Sequence, residues 1–249
     1  MRAIVKVVWK NTNNGWKAFL KTTDGTDFDL QGLEPGRELN YEITDERRCT
    51  GYAPEPGERA VCTEFRRIKS GSQCPECRGK DIYAGYVRGD TGTDLEGEFS
   101  VYLAQIGSKI KVGVTRSENI PKRWVEQGAD YGVEICSGLS SKEALEEEQR
   151  ITDQNGISQR IRKEKKINSK TSPQLENKLE ELNYQGKVVD VQNLTVYPDI
   201  SMPRLHRSGV LRGEIKSVKG QVIFTERIAM AMTEGKTMDR PLQTDVTSF

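Results

Sequence analysis

Four of the five cysteines of this 249-residue chain, Cys49, Cys62, Cys74 and Cys77, fall within one short stretch. The last two form Cys74-Pro75-Glu76-Cys77, a knuckle in which two thiolates can face one ion. Zinc takes four such soft ligands tetrahedrally, and Cys-x2-Cys is the usual half of a structural site. Cys49 and Cys62 form a less regular second half, so the spacing also admits unrelated thiols, a redox Cys-x-x-Cys or a disulfide framework. The stretch is rich in Gly, Pro, Arg and Glu and cannot bury a core of its own. A bound metal explains how it folds, and structural Zn2+ on Cys49, Cys62, Cys74 and Cys77 is the expectation. Cys136, in Val133-Glu134-Ile135-Cys136, reads as a buried thiol on a strand.

The single histidine, His206, excludes a His-rich metal site and reads as a surface residue in a basic loop. Lys and Arg total 38 against 37 Asp and Glu, a net charge of +1, which argues against affinity from overall charge. No apolar run reaches the roughly 18 residues a membrane helix needs. Met1–Lys10 is too short and too interrupted by lysine for a secretory signal, so a cytoplasmic protein without a membrane partner is expected.

Residues 1–48 read as a β region with strands at Ile4–Trp9, Trp16–Thr22 and Glu38–Thr44, separated by Gly-containing turns. Residues 49–98 are the cysteine segment and a Gly- and Asp-rich connection. A hairpin follows at Phe99–Ile106 and Lys109–Thr115 across Gly107-Ser108, then a helix from Ile120 to Gln127 capped by Asn119. Tyr131–Cys136 is a third strand, and Ser140 with Glu143 makes a capping box for a helix through Thr152. A basic helix is expected over 157–168 and another from Ser172-Pro173 to near Gly186. Residues 187–249 return to strands at Val188–Val196 and Val210–Thr225, with the last twenty residues frayed.

The segment 99–152 carries Val101-Tyr102-Leu103-Ala104, Lys111-Val112-Gly113-Val114-Thr115-Arg116, Arg123-Trp124-Val125-Glu126-Gln127-Gly128-Ala129 and Glu143–Glu148. In order and spacing it resembles the GIY-YIG nuclease domain. The whole chain, including Ile215–Phe224, resembles an uncharacterised, largely archaeal family in which a cysteine cluster precedes such a domain. The resemblance implies an α+β protein: a GIY-YIG-like central domain at 99–186, with a three-stranded antiparallel sheet flanked by helices, between an N-terminal β region and C-terminal β-strands.

It further implies that Tyr102 activates water or positions phosphate, that Arg123 holds the scissile phosphate, and that Glu148 binds Mg2+ or Mn2+. Ala144, Leu145 and Ile151 lie at helical spacings around Glu148 and place it on the inward side, with Glu146 and Glu147 toward solvent. Where the second motif carries tyrosine this chain has Lys111, which can neutralise phosphate but is a poor general base at its ordinary pKa. Residues 159–170 hold six basic side chains against one acidic, and 203–227 are also net basic. Arg116, Lys122, Arg160, Arg162, Lys163, Lys165 and Lys166 are therefore candidate phosphate contacts. The expected function is metal-dependent endonucleolytic hydrolysis of DNA or RNA. The alternatives are a non-catalytic zinc-containing nucleic-acid-binding module on the same scaffold and a structural protein.

Overall fold

The computed structural model describes residues 1–85 and 95–240. The fold is mixed α+β, mostly sheet with few helices. The strands in chain order are β1 (Arg2–Thr12), β2 (Gly15–Thr23), β3 (Phe28–Gly32), β4 (Glu38–Arg47), β5 (Phe99–Ile106), β6 (Lys109–Arg116) and β7 (Tyr131–Leu139). They continue as β8 (Val189–Asp190), β9 (Leu205–His206), β10 (Gly209–Lys219), β11 (Val222–Thr225), β12 (Ala229–Ala231) and β13 (Lys236–Asp239). The helices are α1 (Pro75–Lys80), α2 (Lys122–Gln127), α3 (Ser141–Asn155) and α4 (Leu175–Leu182).

One sheet has nine strands in the order β3-β2-β1-β13-β4-β10-β11-β12-β9, the other four in the order β6-β5-β7-β8. The N- and C-terminal strands belong to the same sheet, because β13 pairs with β1 on one side and β4 on the other. The small sheet has four strands rather than the three expected, since Asp190 and Val189 pair with Tyr131 and Gly132.

Strand β5 joins the two halves of the core. All eight of its residues are buried, the pattern of a strand covered on both faces. Phe99, Val101 and Leu103 pack with Ala144 and Ile151 of α3 and Leu175 and Leu179 of α4. Tyr102, Ala104 and Ile106 pack with Ile4, Val7 and Trp9 of the nine-stranded sheet and with Trp124 and Val125 of α2.

The hairpin falls where the sequence places it, with Ile106 opposite Lys109 and Gly107 at φ 57° in the turn. Helix α3 has the expected capping box: Ser140 Oγ accepts from the Glu143 amide, and the Glu143 carboxylate accepts from the Ser140 amide. Four local expectations are corrected. Helix α2 begins at Lys122 without Asn119 as cap, because Pro121 drives Ile120 out of the helical region to ψ 132°. Helix α4 starts at Leu175 and stops at Leu182 under a left-handed Asn183.

The basic helix over 157–168 does not form. Ile157 packs with the α3–α4 core and Ile161 with the nine-stranded sheet, whereas a helix would turn residues four apart to one face. The chain instead runs extended beside β6, where the Val112 amide donates to Ser158 O at 3.2 Å, and then makes a single tight turn at Lys163–Ile167. Residues 229–239, expected to fray from 230, form β12 and β13 with Met230, Met232 and Met238 in the core. The rest of that expectation, residues 241–249, lies outside the described residues.

A buried ion pair ties the sheets together. Lys219, at the end of β10, lies 2.5 Å from Asp130, the residue before β7, and 3.8 Å from Asp199. Lys219 also donates to Asn168 O at 3.3 Å. Asp130 Oδ2 accepts from the Gly107 amide at 2.5 Å, so the pair also fixes the β5–β6 turn. Lys219→Met leaves the Asp130 carboxylate buried without its cation. Urea unfolding of that variant at pH 7 is expected to show a loss of about 3–5 kcal/mol.

Candidate functional site

The cysteine segment is held together by its sulfurs. Cys49 follows β4, Cys62 sits in an irregular turn, Cys74 caps α1 and Cys77 lies inside that helix. The four sulfurs all lie within 4.8 Å of one another, and each cysteine is at most 6 % exposed. Around them only Tyr52 and Ile68 add apolar packing. Gly51 permits the close approach of the loop: at φ 86° a Cβ there would stand 1.9 Å from the Ala60 carbonyl oxygen. Arg59 reaches out of the segment to Glu234 at 2.8 Å, and Arg47 donates to Gly71 O at 2.8 Å, anchoring the segment on the β12–β13 connection.

Burial pushes the Cys49 thiol up to about 11 and raises Cys77 as well. Burial acts upward on Cys74 too, but hydrogen bonds from the Cys77 backbone and the neighbouring thiols outweigh it and the net shift is downward. The Cys74 amide donates to Cys49 Sγ at 3.2 Å, as expected around thiolate ligands. The four sulfurs can hold a metal ion, and a soft sulfur set of this kind suits zinc. Cys136 is on β7 but half-buried, with burial and Glu147 raising its pKa.

A second cluster gathers at the edge of the small sheet. Tyr102 of β5 stands opposite Gly113 of β6, and its phenol lies across that glycine: a Cβ there would be 2.5 Å from the Tyr102 oxygen. Lys111, two residues back on β6, points to the same face, with Nζ 5.9 Å from the centre of the Tyr102 ring. Arg123 comes from the first turn of α2, directs its guanidinium at the Tyr102 phenol and pairs with Glu126 at 3.3 Å. Glu148 comes from α3 and faces Lys111 and Arg123. Glu146 is exposed, and Glu147 pairs with Arg150 at 2.7 Å and is bonded by the Tyr184 hydroxyl.

The electrostatics follow from burial. Tyr102 is 1 % exposed, and burial raises its pKa despite the nearby Arg123. Lys111 is 8 % exposed; burial and the Arg123 charge lower its pKa to about 8, overturning the expectation of an ordinary lysine. Burial raises Glu148, against the pull of Lys111 and Arg123. Arg123 keeps 40 % of its side chain exposed and is far more open than Tyr102 or Lys111.

The basic run divides. Arg160, Arg162 and Lys165 are exposed, Arg160 within electrostatic reach of Lys111. Lys163 and Lys166 turn inward, so they are not free surface charges. Lys122 is half-buried at the start of α2, and Arg116 lies 5.4 Å from the Phe99 ring centre rather than in the cluster. His206 lies half-buried on β9 beside Met230 rather than in a loop. Sequence reasoning did not find Glu126, which links Arg123 to Lys6 at 3.7 Å; its position three residues after Arg123 on a helix was the available signal.

The family model described as "Protein of unknown function (DUF2797)" matches residues 36–234, and the chain belongs to that family. No curated protein and no solved structure matches it. Among the described residues no helix is long and apolar enough to cross a membrane.

The cysteine centre makes a direct prediction. Metal analysis of the purified chain should find about one zinc per chain, and Cys77→Ser should lose it. Because zinc binds the thiolate, acidification protonates the ligands and releases the ion, so zinc retention should fall as pH is lowered. A metal-free protein with full thermal stability would remove zinc from the account of the segment.

Proposed function

We propose that this protein is a divalent-metal-dependent hydrolase of phosphodiester bonds in DNA or RNA, with a structural zinc on Cys49, Cys62, Cys74 and Cys77. The observation carrying this reading is the convergence of Tyr102, Lys111, Arg123 and Glu148 from four separate elements on one electrostatically coupled cluster. Four groups of these types at one edge supply a phosphate-binding cation, a metal-binding carboxylate and a titratable amine.

In this reading Arg123, with 40 % of its side chain exposed, binds the non-bridging oxygens of the scissile phosphate. Tyr102 is too buried to meet substrate directly and holds the Arg123 guanidinium in place. Lys111, with its pKa near 8, has about a tenth of its amine free at pH 7 and takes the proton from the attacking water. Glu148 forms no ion pair within 4.0 Å among the described residues and is half-buried, which fits a carboxylate reserved for Mg2+ or Mn2+. When bound there, the ion supplies Lewis-acid stabilisation of the phosphate and the leaving oxygen. Arg160 and the outward-facing Arg162 and Lys165 extend the contact along a nucleic-acid backbone.

A second reading, a non-catalytic binding module, is favoured by the burial of both Tyr102 and Lys111, which leaves attacking water a narrow entrance.

Structured DNA and RNA incubated with the full chain and Mg2+ or Mn2+ separate the two readings. Cleavage is expected, with a loss of about 10²–10⁴-fold in Lys111→Met and a comparable loss in Glu148→Ala. Since the base works deprotonated, the wild-type rate should rise with pH and level off above about 8. Binding without turnover on every substrate would leave the module, and no binding at low salt would remove both.

A further inference from the structure

Lys166 has a place in the fold that neither a surface contact nor a structural ion pair explains. It belongs to the turn Lys163–Ile167, is 7 % exposed and, among the described residues, has no hydrogen bond or ion pair within 4.0 Å. The next residue, Ile167, packs in an apolar cluster with Val222, Phe224 and Ala229, which seats the turn against the nine-stranded sheet and keeps most of Lys166 out of water.

The charges felt most strongly by Lys166 are all positive: Lys163 in its own turn, Lys111 from β6, Arg123 from α2 and Lys219 from β10. The nearby carboxylates are engaged elsewhere. Asp130 and Asp199 face Lys219, Glu126 pairs with Arg123 and Lys6, and Glu164 pairs with Arg207, while Glu148 acts on Lys111 and Arg123 without an ion pair within 4.0 Å among the described residues. An ammonium withdrawn from water with no counter-charge is unfavourable, and further cations beside it add to the cost. The species that offsets several convergent cations at once is an oxyanion with more than one negative charge.

We propose that Lys166, with Lys111 and Arg123, forms a binding site for a phosphate dianion, carried as a monoester on a nucleic-acid terminus or free as inorganic phosphate. The assignment shares Lys111 and Arg123 with the proposed hydrolase site but does not require hydrolysis: monoester binding by a protein that cleaves nothing upholds this site and refutes that activity. Burial and the surrounding cations hold Lys166 near 7 when no anion is bound, so a bound dianion draws a proton onto it. A terminal phosphate monoester, with a second pKa of about 6, is largely dianionic from pH 7 to 8.5 while Lys166 loses its proton, so affinity for the monoester falls as pH rises.

Calorimetric titration of the full chain tests the site. The probes are inorganic phosphate and one oligonucleotide with and without a 5′-phosphate, at pH 7 and 8.5 in buffers of different ionisation enthalpy. At pH 8.5 wild type is expected to bind inorganic phosphate with proton uptake, and Lys166→Met at least about tenfold more weakly with about one proton fewer taken up. Preference for the phosphorylated oligonucleotide assigns the site to strand ends, and binding of inorganic phosphate alone assigns it to free phosphate. Carbon NMR of labelled lysine in unmodified protein gives a second readout, in which an amine titrating near neutrality moves to higher pH when phosphate is added. Equal phosphate affinity in Lys166→Met, no binding of any probe, or an amine unmoved by phosphate would overturn the proposal.

Discussion

The burial of β5 on both faces sets the arrangement of everything else. One run of eight apolar or small polar residues supplies alternate side chains to two cores, the α3–α4 layer and the nine-stranded sheet. Its central position in the chain fixes β6 on one side and β7 on the other, so the residues of β6 that share a face with Tyr102 are fixed with it. Lys111 and Gly113 are these residues. The candidate site is thus a consequence of the way the two sheets meet, and it cannot form from the small sheet in isolation: Trp124 and Val125, which carry Arg123, pack into the core of the larger sheet.

This origin explains the electrostatics. At a seam between two apolar layers the effective dielectric falls, and each charge costs more and acts over a longer range than on the surface. Lys111, Lys166 and Lys219 are all less than one-tenth exposed, yet only Lys219 has carboxylates within ion-pair distance. Lys219 therefore has a structural role, locking β10 to the turn before β7, while the other two keep lowered pKa values and capacity for an added anion. The same distinction separates the two cysteine environments. Cys136 is an isolated thiol on a strand, whereas the other four occupy each other's coordination distance in a segment with two apolar side chains to pack on them.

What was legible in the chain is what depends on neighbours close in sequence. The Gly107 turn, the Ser140–Glu143 box and the Cys74–Cys77 knuckle are set by a few adjacent residues, and each took the form those residues dictate. The segment 157–168 was misread as a basic helix because the burial of its isoleucines is not a local property: Ile157, Ile161 and Ile167 enter three different apolar clusters. β12 and β13 escaped notice for a related reason. Strands of three and four residues have no periodicity to detect, and β13 exists because β1 and β4 leave a gap between them. Of the site, the residue types on β5, β6, α2 and α3 were visible, but not the burial that changes Lys111 from a surface cation into a titratable amine.

The charge balance of the chain bears on this last point. A net charge of +1 and a run of six basic residues are both counts along the sequence, and neither predicts where a polyanion is held. Within that run Arg162 and Lys165 point into water, where salt screens them and each contributes little. Lys166, adjacent to Lys165, is 7 % exposed, so an anion placed beside it would be less screened. Two neighbouring lysines therefore differ in environment because the turn at 163–167 directs one outward and the other inward. If an anion is held here, its affinity would be set by which cations are desolvated together, and a chain that is nearly neutral overall can still gather such cations at one edge of one sheet.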